Sequence, residues 1–221
     1  MNERVLPTKE AVAALAAEWM AERLRAAVGE GRRASVALSG GTTPVPIYRA
    51  LAQTRLPWSE VDIYWVDERC VPPSSPDSNY RMVKEALLDS LSLQPGQVFR
   101  MEAERGDVQQ AARDYEALLP AELDMAVIGM GPDGHTASLF PGHPQLEERQ
   151  RRVAVVLDSP KPPPCRLTLT LPALERTRHV LGLVLGRGKE EAVAALRAGR
   201  DIPAARVPHA LWLLDAEAGG A

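Results

Sequence analysis

The chain has only two cysteines and no long apolar run, and each scarcity removes a class of protein. Cys70 and Cys165 lack a C-x-x-C spacing and are too few for a disulfide framework, so free thiols are expected. No apolar stretch approaches the roughly 20 residues that a membrane-spanning helix needs, and residues 1–9 lack the apolar core of a signal peptide. The sequence therefore predicts a cytoplasmic protein with no membrane partner.

Concentrated positive charge is also missing. The formal net charge is -3, and neither Lys nor Arg gathers in any block of the sequence. A general nucleic-acid binder would carry a basic patch or stripe, so no nucleic-acid partner is expected. An anionic small molecule could bind only where the fold brings separate basic residues together.

Short apolar segments alternate with amphipathic helical patterns along the chain. This alternation predicts an α/β fold of three layers, α/β/α, with a mainly parallel sheet. Strands are predicted over 34–38, 61–66, 125–128, 153–157, 167–171, 180–185 and 210–214, with a weaker one over 98–101. Helices are predicted from Thr8 to about 29, over 44–53 and 78–91, from Asp107, and over 189–198. Nothing requires more than one domain, so 1–221 is assigned to a single domain.

Ligands of such sheets collect at the carboxyl ends of the strands, so the loops that follow the strands are the candidate site. Gly40, Gly41 and Thr42 lie between a strand and a helix that Pro44 opens. The glycines allow a sharp turn, and the free N–H groups at a helix start favour a phosphate. An ordinary capped turn would explain the same residues, and the Walker pattern G-x-x-x-x-G-K-[ST] is missing.

Charged residues stand beside other strands. Asp67 and Arg69 follow the strand at 61–66, Arg166 enters the strand at 167–171, and Lys189 begins a helix. Each of them taken alone would be a solvated surface residue, so their importance depends on meeting at one edge of the sheet. The proline-rich segment 159–164 is expected to be a stiff, exposed loop.

The segment 127–136, VIGMGPDGHT, fits two different sites. Gly129, Gly131 and Gly134 spell G-x-G-x-x-G after an apolar strand, which is the fingerprint of a dinucleotide site. That site needs a substantial helix after the third glycine, but prolines from Pro141 onward would end such a helix after about one turn. Asp133 would also set a carboxylate against the pyrophosphate. The dinucleotide interpretation is rejected.

The same turn holds Asp133 and His135, whose side chains can face one cavity. An imidazole with an ordinary pKa of about 6.5 is suited to taking a proton from water near neutral pH. A helix-capping histidine with a structural aspartate is the alternative. The other histidines show no metal-ligand spacing with His135, and both cysteines are separated from it in sequence, so neither a metal site nor a Cys-His nucleophile is supported.

Several segments resemble the 6-phosphogluconolactonases, the lactone hydrolases of the oxidative pentose phosphate pathway. These are LSGGTTP at 38–44, WVDER at 65–69, DSNYR at 77–81, GMGPDGHTASLFP at 129–141 and RLTLT at 166–170. The resemblance implies a modified Rossmann-like α/β/α fold related to glucosamine-6-phosphate deaminases. It also implies hydrolysis of 6-phospho-D-glucono-1,5-lactone to 6-phospho-D-gluconate without a metal or organic cofactor.

The resemblance also implies a role for each candidate residue. His135 would activate water with Asp133 beside it, while Asp67 and Arg69 would line the sugar and the reacting end. The phosphate would lie against the loop residues Gly40, Gly41 and Thr42. Arg166 and Lys189 would supply the positive counter-charges. The related deaminases carry an Asn-Glu pair where this chain has Leu139 and Phe140, which disfavours a deaminase. A non-catalytic sugar-phosphate sensor is the other alternative, and a monomer or small homo-oligomer is expected.

Overall fold

The computed structural model describes residues 1–93 and 96–220. Nine strands lie in this part of the chain: β1 (Asn2–Leu6), β2 (Ala34–Leu38), β3 (Val61–Trp65), β4 (Asp67–Arg69), β5 (Met125–Gly129), β6 (Val153–Val156), β7 (Arg166–Leu169), β8 (His179–Val184) and β9 (Leu211–Asp215). The helices are α1 (Lys9–Gly29), α2 (Val45–Ala52), α3 (Asn79–Ala86), α4 (Val108–Leu118), α5 (Leu171–Glu175), α6 (Glu190–Arg197) and α7 (Ala216–Gly219). Short 3-10 turns occupy Trp58–Glu60, Leu88–Ser90, Pro144–Glu147 and Pro203–Arg206.

The main sheet has six strands in the order β1-β9-β8-β5-β2-β3, and all of its pairs are parallel. Strands β2 and β9 are buried along their whole length, which explains their continuous apolar sequences. Helix α1 packs against β2 and β9 and against α2. The predicted α/β architecture with a mainly parallel sheet is confirmed. Among the described residues, no helix is long and apolar enough to cross a membrane.

Helix α1 shows how local sequence sets an element. The hydroxyl of Thr8 accepts a hydrogen bond from the N–H of Ala11 at 3.2 Å, which is the predicted N-cap. Its buried face includes Val12, Ala16 and Met20, spaced four residues apart. Helices α3 and α4 begin in the same way, since the side chains of Ser78 and Asp107 cap them. Apolar spacing and a cap together define where these helices begin.

A second, three-stranded sheet of order β4-β7-β6 is antiparallel, and the sequence did not predict it. Asp67 and Arg69 were expected in a loop after a strand, but they form β4. The chain stays extended beyond β3 because β7 pairs with it, with Asp67 opposite Thr168 and Arg69 opposite Arg166. Three charged candidate residues therefore lie on adjacent strands.

Other differences from the predicted elements have local causes. Strand β1 is mostly exposed and polar, so only its parallel pairing with β9 reveals it. The predicted strand over 98–101 is reduced to a single bridge between Val98 and Ile63. The predicted strand over 167–171 ends at Leu169, since Pro172 in the first turn favours helix α5. The helix predicted over 78–91 ends at Ala86, where a 3-10 turn replaces it.

Candidate active site

A cavity of about 270 Å³ lies where β2 and β5 end, and it gathers most of the predicted residues. Its lining includes these eight: Gly40, Gly41, Thr42, Asp67, Arg69, His135, Arg166 and Lys189. The ninth, Asp133, contacts His135. A larger groove of about 590 Å³ elsewhere contains none of the nine. The structure therefore brings together residues that are more than 140 positions apart in sequence.

The glycine loop after β2 is held firmly but leaves its N–H groups free. The hydroxyl of Ser39 donates to the carbonyl of Val127 at 2.6 Å, and the Tyr48 hydroxyl donates to the Ser39 carbonyl at 2.9 Å. Within the described residues, the backbone N–H groups of 40–43 donate no hydrogen bond. A β-carbon at Gly40 would overlap the side chain of Asn79, and Gly41 has φ +86°. Unpaired donors beside a helix start are suited to an anion.

The Asp133 carboxylate lies 2.5 Å from Nδ1 of His135. Because a carboxylate accepts, Nδ1 carries the proton and Nε2 is left as the free acceptor. Burial lowers the pKa of His135, although the Asp133 charge opposes that shift. Gly131 makes the pair possible, since a β-carbon there would lie 2.6 Å from Asp133 Oδ1 and still closer to the imidazole. A neutral imidazole with one fixed tautomer is suited to general base catalysis.

Both oxygens of the Asp67 carboxylate have partners. The Ser138 hydroxyl donates to Oδ2 at 2.7 Å, and Nδ2 of Asn79 donates to Oδ1 at 3.1 Å. Asn79 also donates to the Asp67 carbonyl at 2.8 Å and is only 1% exposed. Sequence reasoning identified neither partner, although both lie in the segments that carry the resemblance. Asn79 therefore connects Asp67 with the glycine loop that it packs against.

Arg166 holds the proline-rich loop rather than projecting freely into the cavity. Its Nη2 donates to the carbonyl of Lys161 at 2.9 Å, and its Nε donates to the carbonyl of Pro163 at 3.1 Å. Burial lowers the pKa of Arg166, which is 4% exposed. This anchoring places the Lys161 ammonium 3.4 Å from His135 Nδ1 and 3.8 Å from Asp133 Oδ1. The loop is partly exposed as expected, but no sequence pattern predicts that Lys161 lines the cavity.

Two more basic residues complete the lining. The Lys189 ammonium donates to the carbonyl of Met130 at 2.8 Å, and burial, aided by the Lys161 charge, lowers its pKa. Arg69 donates to the carbonyl of Asp77 at 2.7 Å, while its buried Nε has no partner among the described residues. Including Arg166, four cations face or adjoin a cavity with one lining carboxylate, Asp67. This charge favours an anionic ligand.

The family model for glucosamine-6-phosphate isomerases and 6-phosphogluconolactonases matches residues 7–213. This chain belongs to that family. A 6-phosphogluconolactonase of Mycobacterium tuberculosis is 38% identical over 235 residues, covering 97% of this chain and 95% of the relative. A 6-phosphogluconolactonase of Synechocystis is 36% identical over 233 residues, with the same two coverages.

Solved structures of the glucosamine-6-phosphate isomerase/6-phosphogluconolactonase family share the fold. The crystal structure of 6-phosphogluconolactonase from Thermotoga maritima has a TM-score of 0.89 at 28% identity, covering 97% of this chain and 99% of that one. A monomeric glucosamine-6-phosphate deaminase has a TM-score of 0.87 at 23% identity, covering 100% of this chain and 99% of that one. Since lactonase and deaminase share the fold, the side chains of the site must distinguish the two reactions.

Proposed function

We propose that this protein hydrolyses 6-phospho-D-glucono-1,5-lactone to 6-phospho-D-gluconate, with His135 as the general base. The observation that carries the proposal is a half-buried, neutral imidazole, oriented by Asp133, in a cationic cavity beside a loop of free N–H groups. The names of the relatives that match nearly the whole chain support the same reaction. The proposal includes no nucleic-acid or membrane partner, and a monomer or small homo-oligomer in the cytoplasm is expected.

The reaction begins with proton transfer to Nε2 of His135. Water loses this proton as its oxygen attacks the lactone carbonyl, and a tetrahedral intermediate forms. Asp133 stabilises the imidazolium, which returns the proton to the ring oxygen as the ring opens. General base catalysis of this kind typically contributes about 10²- to 10⁴-fold to the rate. The nearby Lys161 ammonium stabilises negative charge that develops at the carbonyl oxygen.

The phosphate binds at the glycine loop. The free N–H groups over 40–43 donate to phosphate oxygens, and Lys189 supplies a compact positive charge. Arg69 lines the cavity and adds a further positive charge near the substrate. Several N–H groups of Arg166 already donate to loop carbonyls, so the main contribution of Arg166 is to position Lys161.

An amino-sugar-phosphate deaminase is the closest alternative. The deaminases that this chain resembles carry a carboxylate just after the histidine turn. This chain has Leu139 and Phe140 at that place, and both are fully buried. The Phe140 ring packs against the His135 imidazole with ring centroids 4.8 Å apart. Apolar packing at this position leaves no acid to open an amino-sugar ring, so lactone hydrolysis is favoured.

The test is a direct assay of acid release from 6-phosphogluconolactone, corrected for spontaneous hydrolysis. His135→Asn should lower kcat by about 10²- to 10⁴-fold and leave KM nearly unchanged. His209→Asn is the matched control, because His209 is exposed and asparagine tolerates its φ of +50°. Near-normal turnover by His135→Asn would refute the assigned base. Equal rates on phosphorylated and unphosphorylated lactone would refute the phosphate site.

A further inference from the structure

The two cysteines of the chain face each other at the end of the small antiparallel sheet. Strands β4 and β7 pair Arg69 with Arg166, so the residue that follows β4 meets the residue that precedes β7. These two residues are Cys70 and Cys165, and the N–H of Cys70 donates to the Cys165 carbonyl at 3.0 Å. The fold thus brings together thiols from distant parts of the sequence.

The geometry of this pair fits a disulfide. Directly opposed residues of an antiparallel pair have Cα atoms about 4.5–5.5 Å apart and side chains on the same face. Disulfides span Cα separations of about 4.4–6.8 Å, so no large backbone movement is needed. Both cysteines are half-buried, which leaves them partly accessible to a small reagent. Burial raises the pKa of the Cys70 thiol, and the Cys165 thiol beside it adds to the rise.

We propose that Cys70 and Cys165 form a reversible disulfide by exchange with a low-molecular-weight disulfide. One cysteine thiol loses its proton, and the thiolate attacks a sulfur of the reagent. The reagent S–S bond breaks, one thiolate leaves and takes up a proton, and a mixed disulfide remains. The second cysteine, once deprotonated, attacks the protein sulfur of that mixed disulfide and releases the second reagent thiol. The two cysteines lose two electrons in total, and the reagent gains them.

This modification site adjoins the cavity. Arg69 directly precedes Cys70, Arg166 directly follows Cys165, and both arginines line the cavity. A disulfide fixes the two sulfur atoms about 2.05 Å apart, which constrains the backbone and side chains beside Arg69 and Arg166. Displacing positioning groups by about 1 Å can cost on the order of 100-fold in rate. Oxidation is therefore expected to lower kcat/KM at least about 5-fold, and reduction is expected to restore it.

Formation of the disulfide does not depend on the proposed function, whereas its effect on turnover does. The fully reduced chain would be incubated with glutathione disulfide, and the intact mass, the number of free thiols and thermal unfolding would be measured. The expected product has lost about 2 Da and both free thiols. Its Tm should rise by about 5 °C or more, because the cross-link closes a long loop. Dithiothreitol should reverse every change.

Cys70→Ser and Cys165→Ser are the matched controls, since each keeps the size of the side chain but cannot close the disulfide. Each should take up one glutathione at most, with no rise in Tm. Two free thiols that persist in excess glutathione disulfide would overturn the site, as would a wild-type product with glutathione on both cysteines. A disulfide that forms without changing the hydrolysis rate of an active lactonase would overturn the effect on turnover. Absence of lactonase activity in the reduced chain would instead count against the proposed function.

Discussion

Replacing Gly131 with alanine should separate the chemistry of the site from its folding. A β-carbon at Gly131 would lie 2.6 Å from Asp133 Oδ1 and would overlap Nδ1 and Cε1 of His135. These atoms belong to side-chain ends, which can rotate away. Gly131 has no positive φ, so alanine adds no backbone strain. The substitution should therefore displace the Asp133–His135 pair while the surrounding fold persists.

The size of the effect follows from what the pair supplies. If the imidazole leaves its position, general base catalysis is lost, which is worth about 10²- to 10⁴-fold in kcat. Folding stability should change by less than about 1 kcal/mol, because the atoms that the β-carbon displaces are side-chain ends beside an open cavity. The Gly131 N–H donates to the His135 carbonyl at 2.9 Å, and alanine retains that N–H.

The assay compares Gly131→Ala with Gly106→Ala, both in kcat for lactone hydrolysis and in urea unfolding. Gly106 lies outside the cavity lining, and a β-carbon there would meet nothing within 4 Å. The control should keep wild-type kcat. A Gly131→Ala enzyme with kcat within about 3-fold of wild type would refute the inference that this close approach holds the base. A large loss of stability would instead show that the turn itself had been disrupted.

Three further predictions concern pH, positioning and stability. Burial lowers the pKa of His135, and a general base must be neutral, so kcat/KM should decrease at acidic pH with a midpoint below pH 6.5. A midpoint at or above pH 6.5 would contradict the lowered pKa. Asn79→Ala should lower kcat about 10-fold and cost about 1–3 kcal/mol in urea unfolding, because it removes both hydrogen bonds that Asn79 donates to buried Asp67; unchanged kcat would argue against positioning. Tyr115→Phe should cost about 1–3 kcal/mol in urea unfolding, since the Tyr115 hydroxyl accepts from the Trp65 N–H and donates to its carbonyl; a cost near zero would contradict this.

The elements that could be predicted are those whose formation depends on residues close together in the sequence. Strands such as β2 and β9 are continuously apolar because both faces are covered, and α1 has a cap and a regular apolar face. Strand β4 has neither signal, since its residues are charged and its pairing partner lies about a hundred positions away. Strand β1 is likewise recognisable only from its pairing with β9. Pairing between distant polar segments leaves no period in a single sequence.

The same distinction applies to the candidate site. Glycines and the Asp133–His135 turn could be identified from spacing, because a tight turn brings near neighbours together. Lys161 could not, since its position depends on the side chain of Arg166 binding the carbonyls of the proline-rich loop. Ser138 and Asn79 contact Asp67 only after three separate segments converge. Side-chain hydrogen bonds between distant segments are the part that the sequence did not reveal.

Arg166 shows why counting charges is not enough to assign a phosphate site. From the sequence it is one of two basic counter-charges, but in the structure Nε and Nη2 donate to carbonyls and Nη1 lies 3.4 Å from the Ser138 hydroxyl. A guanidinium whose donors are satisfied by the protein has few left for a ligand. Its charge still contributes to the field in the cavity, but its geometry determines where the Lys161 ammonium lies. Removing Arg166 would therefore disturb Lys161 and, through it, the reacting end of the site more than the phosphate end.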